Sequence, residues 1–102
     1  MILITAKASV SPQNREAYHA LSREQVTKSR KEAGCLDYGY YEDAMEPGTF
    51  IFVEKWKDQA ALDFHFAQDY CLFFIKEVRK LARAASAIEI NDISGTRTPT
   101  GS

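Results

Sequence analysis

Strict alternation opens the chain, with Ile2, Ile4, Ala6, Ala8 and Val10 on one side and Leu3, Thr5, Lys7 and Ser9 on the other. That is the two-residue period of a strand. Ser11-Pro12 follows, a capping hydroxyl and then a proline where a missing N–H costs nothing, so a helix is expected to start there. It should run to about Ala33 and stop at Gly34, a residue free to take the left-handed conformation that closes helices. Helical projection gathers Tyr18, Leu21, Ser22, Val26, Ser29 and Ala33 into one stripe, opposite Glu16, Arg23, Thr27 and Lys31. With few bulky groups on its buried side, this helix should pack close to the sheet.

Cys35 to Asp43, carrying Tyr38, Tyr40 and Tyr41, and Thr49 to Trp56 read as an antiparallel hairpin turned at Glu46-Pro47-Gly48, since aromatic residues suit a pleated surface and Pro-Gly punctuates it. Asp58 is placed to cap a short helix bearing Ala61, Leu62 and His65, and Asp69 to cap a longer one. On the longer helix Phe74, Val78, Leu81, Ala82 and Ala85 should face inward, with Lys76, Glu77, Arg79, Lys80 and Arg83 turned to water. Ile88 and Ile90, with Ile93 at the end, mark a last strand. The order β-α-β-β-α-β with right-handed crossovers predicts an α+β, ferredoxin-like fold: a four-stranded antiparallel sheet with helices on one face. Residues 1–95 form the expected single domain and 96–102 a flexible C-terminal tail rich in Gly, Thr and Pro.

Strand Thr49–Trp56 is apolar on both sides, with Phe50, Phe52 and Trp56 on one and Ile51 and Val53 on the other. Helices can cover only one of those faces, and soluble monomers rarely leave so large an apolar patch bare. A homodimer paired through the sheet face is therefore expected.

Composition narrows the partners. A chain of 102 residues has room for one domain, and 45% apolar with 26% charged residues favours neither a disordered nor a fibrous class. Thirteen basic against fourteen acidic residues give a net charge of -1, without the cationic excess that binding nucleic acid demands. The first residues carry no basic leader and no run approaches the ~20 apolar residues of a membrane span, so no membrane association and a cytoplasmic location are expected. Cys35 and Cys71 lie in no ligand-spaced cluster and are expected as free thiols. There is no glycine-rich phosphate cradle, nucleotide fingerprint, clustered metal set or nucleophile elbow, so neither cofactor nor metal is indicated.

The run Glu32-Ala33-Gly34-Cys35-Leu36-Asp37-Tyr38 is followed by Pro47-Gly48-Thr49-Phe50-Ile51-Phe52-Val53-Glu54-Lys55-Trp56-Lys57-Asp58-Gln59-Ala60-Ala61-Leu62-Asp63-Phe64-His65. A small residue before Gly-Cys, a tyrosine strand, Glu-x-Trp, an acidic cap, Ala-Leu and a histidine together resemble the signature of the antibiotic-biosynthesis-monooxygenase family. The resemblance covers nearly the whole chain and implies a dimeric α+β barrel. It also implies, for some members, cofactor-free oxygenation of quinols or polycyclic aromatic phenols. Other relatives degrade haem, isomerise small phosphorylated signals or have no known substrate, so fold alone does not fix the activity. Two positions depart from the pattern: Tyr70 stands where many members carry a second histidine, and Lys7 where the haem-degrading branch has an asparagine.

His65 is the candidate base, because an imidazole with a pKa of ~6.5 can take a phenolic proton at neutral pH; it reads equally as a helix histidine satisfied by the next helix. Glu54 shares a face with Phe50, Phe52 and Trp56, so its carboxylate needs a partner such as Lys7, an arginine or a tyrosine hydroxyl, in a structural ion pair, or else it orients a catalytic group or acts as a base with a raised pKa. Trp56 or Tyr70 would hydrogen-bond a substrate oxygen, or Trp56 would simply anchor the core. Tyr38, Tyr40, Phe52, Phe66 and Phe74, with Lys7, are the candidates for holding a small aromatic or quinone-like ligand; the same rings would equally fill a core. His19 reads as a solvated residue on the flank of the first helix. The expected function is a cofactor-independent monooxygenase acting on a quinol or polycyclic phenol. The alternative is a non-catalytic dimeric domain that binds a hydrophobic ligand or haem.

Overall fold

The computed structural model describes residues 1–84 and 86–101. Ala85, assigned above to the inward stripe of the longer helix, and Ser102 at the end of the tail lie outside the described residues. The elements are β1 (Ile2–Ser9), a 3-10 turn (Pro12–Asn14), α1 (Arg15–Ser29), β2 (Cys35–Glu42), β3 (Thr49–Trp56), α2 (Gln59–Ala67), α3 (Asp69–Leu81) and β4 (Ala87–Asp92). The strands form one antiparallel sheet in the order β2-β3-β1-β4. Two crossovers through helices on a single face make this the expected ferredoxin-like α+β fold.

Register fixes which side chains meet. Ile2, Ile4, Ala6 and Ala8 pair with Trp56, Glu54, Phe52 and Phe50, and Tyr38 and Tyr40 pair with Glu54 and Phe52. All of these point to the helical side, and with Tyr18, Val26 and Leu62 they form the core. The opposite side carries Leu3, Thr5, Ile51 and Val53, half-buried among themselves, and the exposed Tyr41. No helix or strand among the described residues covers it. Strand β4 is exposed along its whole length, Ile88 and Ile90 included. No helix among the described residues is long and apolar enough to cross a membrane.

Helix α1 ends earlier than expected. The chain leaves it after Ser29 through tight turns, Lys31 N–H donating to Lys28 O at 3.2 Å and Glu32 N–H to Ser29 O at 3.1 Å. Gly34 does not adopt a left-handed conformation there. It is glycine because a Cβ would come within 2.3 Å of Ala61 Cβ, so its small size lets α2 lie against the turn. The left-handed glycine is Gly48, with φ of 89° in the β2–β3 turn, where its N–H donates to Glu42 Oε2 at 2.8 Å. Asp58 caps α2 by accepting from Ala61 N–H at 2.9 Å. Asp69 sits in the first turn of α3, where its charge meets the helix dipole, while Gln68 holds the cap position.

Candidate active site

A cavity of about 560 Å³ lies between α3 and the helical side of the sheet. Its size suits a small organic ligand. Ala6 and Ala8 on β1 leave the space that larger residues would fill, and Phe52, Phe66 and Phe74 supply apolar walls. Phe74 and Val78 on α3 are only partly buried because the cavity runs beneath them.

His65 lies on this cavity on the inward side of α2, 1% exposed. Its Nδ1 is 2.7 Å from Glu32 Oε2, and the Glu32 side chain is 8% exposed. The Tyr70 hydroxyl donates to the same carboxylate oxygen, and Oε1 is buried without a partner. A carboxylate accepting from Nδ1–H leaves the lone pair on Nε2, which faces Cys71 Sγ at 3.5 Å. Burial pushes the His65 pKa down, against the opposing pull of Glu32. Burial thus favours a neutral imidazole, oriented by Glu32, over a fixed ion pair.

Glu54, 6% exposed, is the carboxyl on the sheet side of the same cavity. Its Oε1 accepts from Trp56 Nε1–H at 2.9 Å, and burial pushes its pKa up to about 7 in spite of that bond. Above it Gln25 Nε2 donates to the Tyr38 hydroxyl at 3.3 Å. Burial likewise pushes the Tyr38 phenol well above its ordinary value. Two protonatable groups, an imidazole and a carboxyl near neutrality, thus share one apolar cavity. Perturbed groups converging on a cleft make it a candidate for proton transfer.

The sequence model of the antibiotic biosynthesis monooxygenase family matches residues 1–77. The chain belongs to that family. A Bacillus subtilis relative, YcnE, whose name proposes a monooxygenase, is 32% identical over 92% of this chain and 99% of its own. An uncharacterised Synechocystis protein is 36% identical over 95% of this chain, which spans 66% of that protein's length. A crystal structure of an antibiotic biosynthesis monooxygenase superposes with a TM-score of 0.86 at 30% identity, over 93% of this chain and 100% of that one. These likenesses support monooxygenase-type chemistry without naming a substrate.

Within this antibiotic biosynthesis monooxygenase domain, His65, Glu54, Tyr38, Phe52, Phe66 and Phe74 converge on the cavity. Trp56 and Tyr70 do not reach it. Trp56 is fully buried behind Glu54, its ring 4.3 Å from that of His65 and its N–H already given to the carboxyl. Tyr70 stands behind Glu32. Both therefore have their donor hydrogens already committed, Trp56 to Glu54 and Tyr70 to Glu32. Tyr40 stacks on Phe52 outside the cavity and shares a 3.0 Å hydrogen bond with His19, which is thereby a partner rather than merely solvated. Lys7 is exposed on the opposite face of the sheet, paired with Ile51, because it is one residue out of phase with Ala6 and Ala8. It neither meets Glu54 nor approaches the ligand space.

Three site residues were not singled out from the sequence. Gln25 is the most legible, falling three positions after the buried Ser22 and seven after Tyr18 on the inward face of α1. Cys71 lies near the start of α3 with no flanking pattern to mark it. Glu32 carries no local signal, since only the early end of α1 turns it toward His65. Among the described residues, no three His, Cys, Asp or Glu side chains gather as metal ligands.

Proposed function

We propose that this protein is a cofactor-independent monooxygenase that oxidises a quinol or polycyclic aromatic phenol with molecular oxygen. The observation that carries the reading is the buried Glu32–His65 hydrogen bond of 2.7 Å opening on an aromatic-walled cavity. A neutral imidazole held by a carboxylate is equipped to take a proton, because the carboxylate stabilises the imidazolium that results. His65 Nε2 exchanges its weak contact with the Cys71 thiol for the substrate hydroxyl and deprotonates it. The electron-rich anion then passes an electron to oxygen. One oxygen atom enters the ring and the other leaves as water with two hydrogens from the substrate. Glu54, with Oε1 held by Trp56, offers Oε2 to a second substrate oxygen, and the phenylalanine walls keep water away from the intermediate.

Pairing through the uncovered sheet face belongs to the same reading. Two copies brought together there would bury Leu3, Ile51 and Val53 and leave each cavity on the outer, helical side.

Oxygen uptake by purified protein, without added cofactor, over a panel of hydroquinones and polycyclic phenols tests the proposal. Saturable uptake above autoxidation, reduced roughly 100-fold or more in His65→Ala, is expected for the loss of a general base. No uptake, with a hydrophobic ligand retained on purification, would instead make the cavity a binding site only.

A further inference from the structure

The hydrogen-bonded line from Glu32 to His65 does not end at the imidazole. Cys71 Sγ is 3.5 Å from His65 Nε2, and this otherwise buried thiol also lines the cavity. Gln25 Nε2 stands 3.6 Å from the same sulfur, a donor able to hold negative charge on it. Carboxylate, imidazole and thiol in sequence constitute a nucleophile with its base and the group that orients the base. Such a set is recognised by geometry and not by chain order. The oxygenase reaction leaves the thiol unused.

We propose that Cys71 is a nucleophile activated by His65 and Glu32, and that the cavity takes α,β-unsaturated carbonyl compounds, quinones included, as covalent ligands. The inclusion of quinones rests on the function proposed above; the thiol chemistry does not. Burial pushes the thiol up to about 11 and His65 down, so the resting pair is neutral and charge separates only when an electrophile arrives. The S–H bond then breaks, its proton moving to His65 Nε2 while Sγ bonds to the β-carbon of the ligand. The displaced π pair moves to the carbonyl oxygen, which recovers the proton from the imidazolium. From a quinone, the hydrogen on the attacked carbon then passes as a proton to the second carbonyl oxygen, so the product is a hydroquinone thioether and no external oxidant or reductant is needed. A planar ring between Phe52, Phe66 and Phe74 would present its edge to the sulfur, with Glu54 across the cavity as a second hydrogen-bonding group.

Cys35, the other free cysteine, is half-buried and provides an internal reference in the same molecule. The protein is treated under anaerobic conditions at neutral pH with N-ethylmaleimide or with 1,4-naphthoquinone, and adducts at each cysteine are followed by peptide mass spectrometry. Cys71 is expected to react roughly tenfold or more faster than Cys35 although it is the more buried of the two, because His65 takes its proton as the electrophile binds in the cavity. That excess should be lost in His65→Gln, with Cys35 keeping its rate as the check on folding, and reduced in Glu32→Gln. Labelling of Cys35 first in the wild type, or undiminished labelling of Cys71 in His65→Gln, would overturn the proposal. His65-dependent labelling without aerobic oxygen uptake would uphold it and count against the oxygenase reading alone.

Discussion

Glu54 is a carboxyl placed where its charge is least welcome. Its folded pKa of about 7 stands above an ordinary value of 4.5, so the folded state binds its proton more tightly than the unfolded chain does. The sign follows from linkage: this contribution is fully present below pH 4.5 and declines as pH rises toward about 7, a difference on the order of 3 kcal/mol. Glu54→Gln keeps an oxygen for the Trp56 N–H and removes the titration. Urea unfolding should therefore show the variant near wild-type stability at pH 4.5 and more stable at pH 8. An equal difference at both pH values would mean that the buried charge is not the cause. A destabilising group kept at the cavity points to a use for it, since surrendering stability at a working site is a common trade.

At the scale of elements, α2 delivers His65, and what lets α2 approach is a glycine. Gly34→Ala would drive a methyl to 2.3 Å from Ala61 Cβ, an overpacking expected to cost about 1–3 kcal/mol. Adding Ala61→Gly should recover most of that loss in a double-mutant cycle, measured by urea unfolding; additive losses would show that the two sites do not touch. The same contact explains where the sequence was readable and where it was not. The alternation of β1, the Pro-Gly turn before β3 and the Asp58 cap are short-range signals, and each element begins near where they place it. Helix α1 ends before Gly34 because that glycine, a helix stop by its local sequence, serves a tertiary contact with a residue 27 positions away. Glu32 became invisible as a site residue through that same displacement.

For the molecule as a whole, the sheet divides two tasks: its helical side holds the cavity, and its bare side presents Leu3, Ile51 and Val53. Alternation puts Phe52 and Glu54 on one face of β3 and helical spacing turns Phe74 inward, and the fold brings these with His65 and Phe66 to the lining of one cavity. Lys7 falls on the bare side because the strand's phase relative to the helices, which local sequence does not carry, turns Ala6 and Ala8 inward. Trp56 and Tyr70 are expected from the sequence to bond a substrate oxygen, but they give their donors to Glu54 and Glu32, pairings set only in three dimensions. If the bare face joins two copies, Val53→Asp should turn a dimer into a monomer, since an unpaired charge is costly in a closed apolar interface. Light scattering at micromolar concentration reads this directly, and a wild-type monomer would refute pairing through that face.

The central claim is that His65, held by Glu32, deprotonates a phenol inside the cavity. It is tested most directly without oxygen, by mixing the protein anaerobically with a polycyclic phenol whose anion absorbs at longer wavelength, at a pH well below the free phenol's own pKa. The account predicts the anion band on binding to wild type, its absence in His65→Gln, and its decay when oxygen is admitted. A bound phenol that stays protonated in wild type, or an anion band of equal strength in the variant, would contradict it.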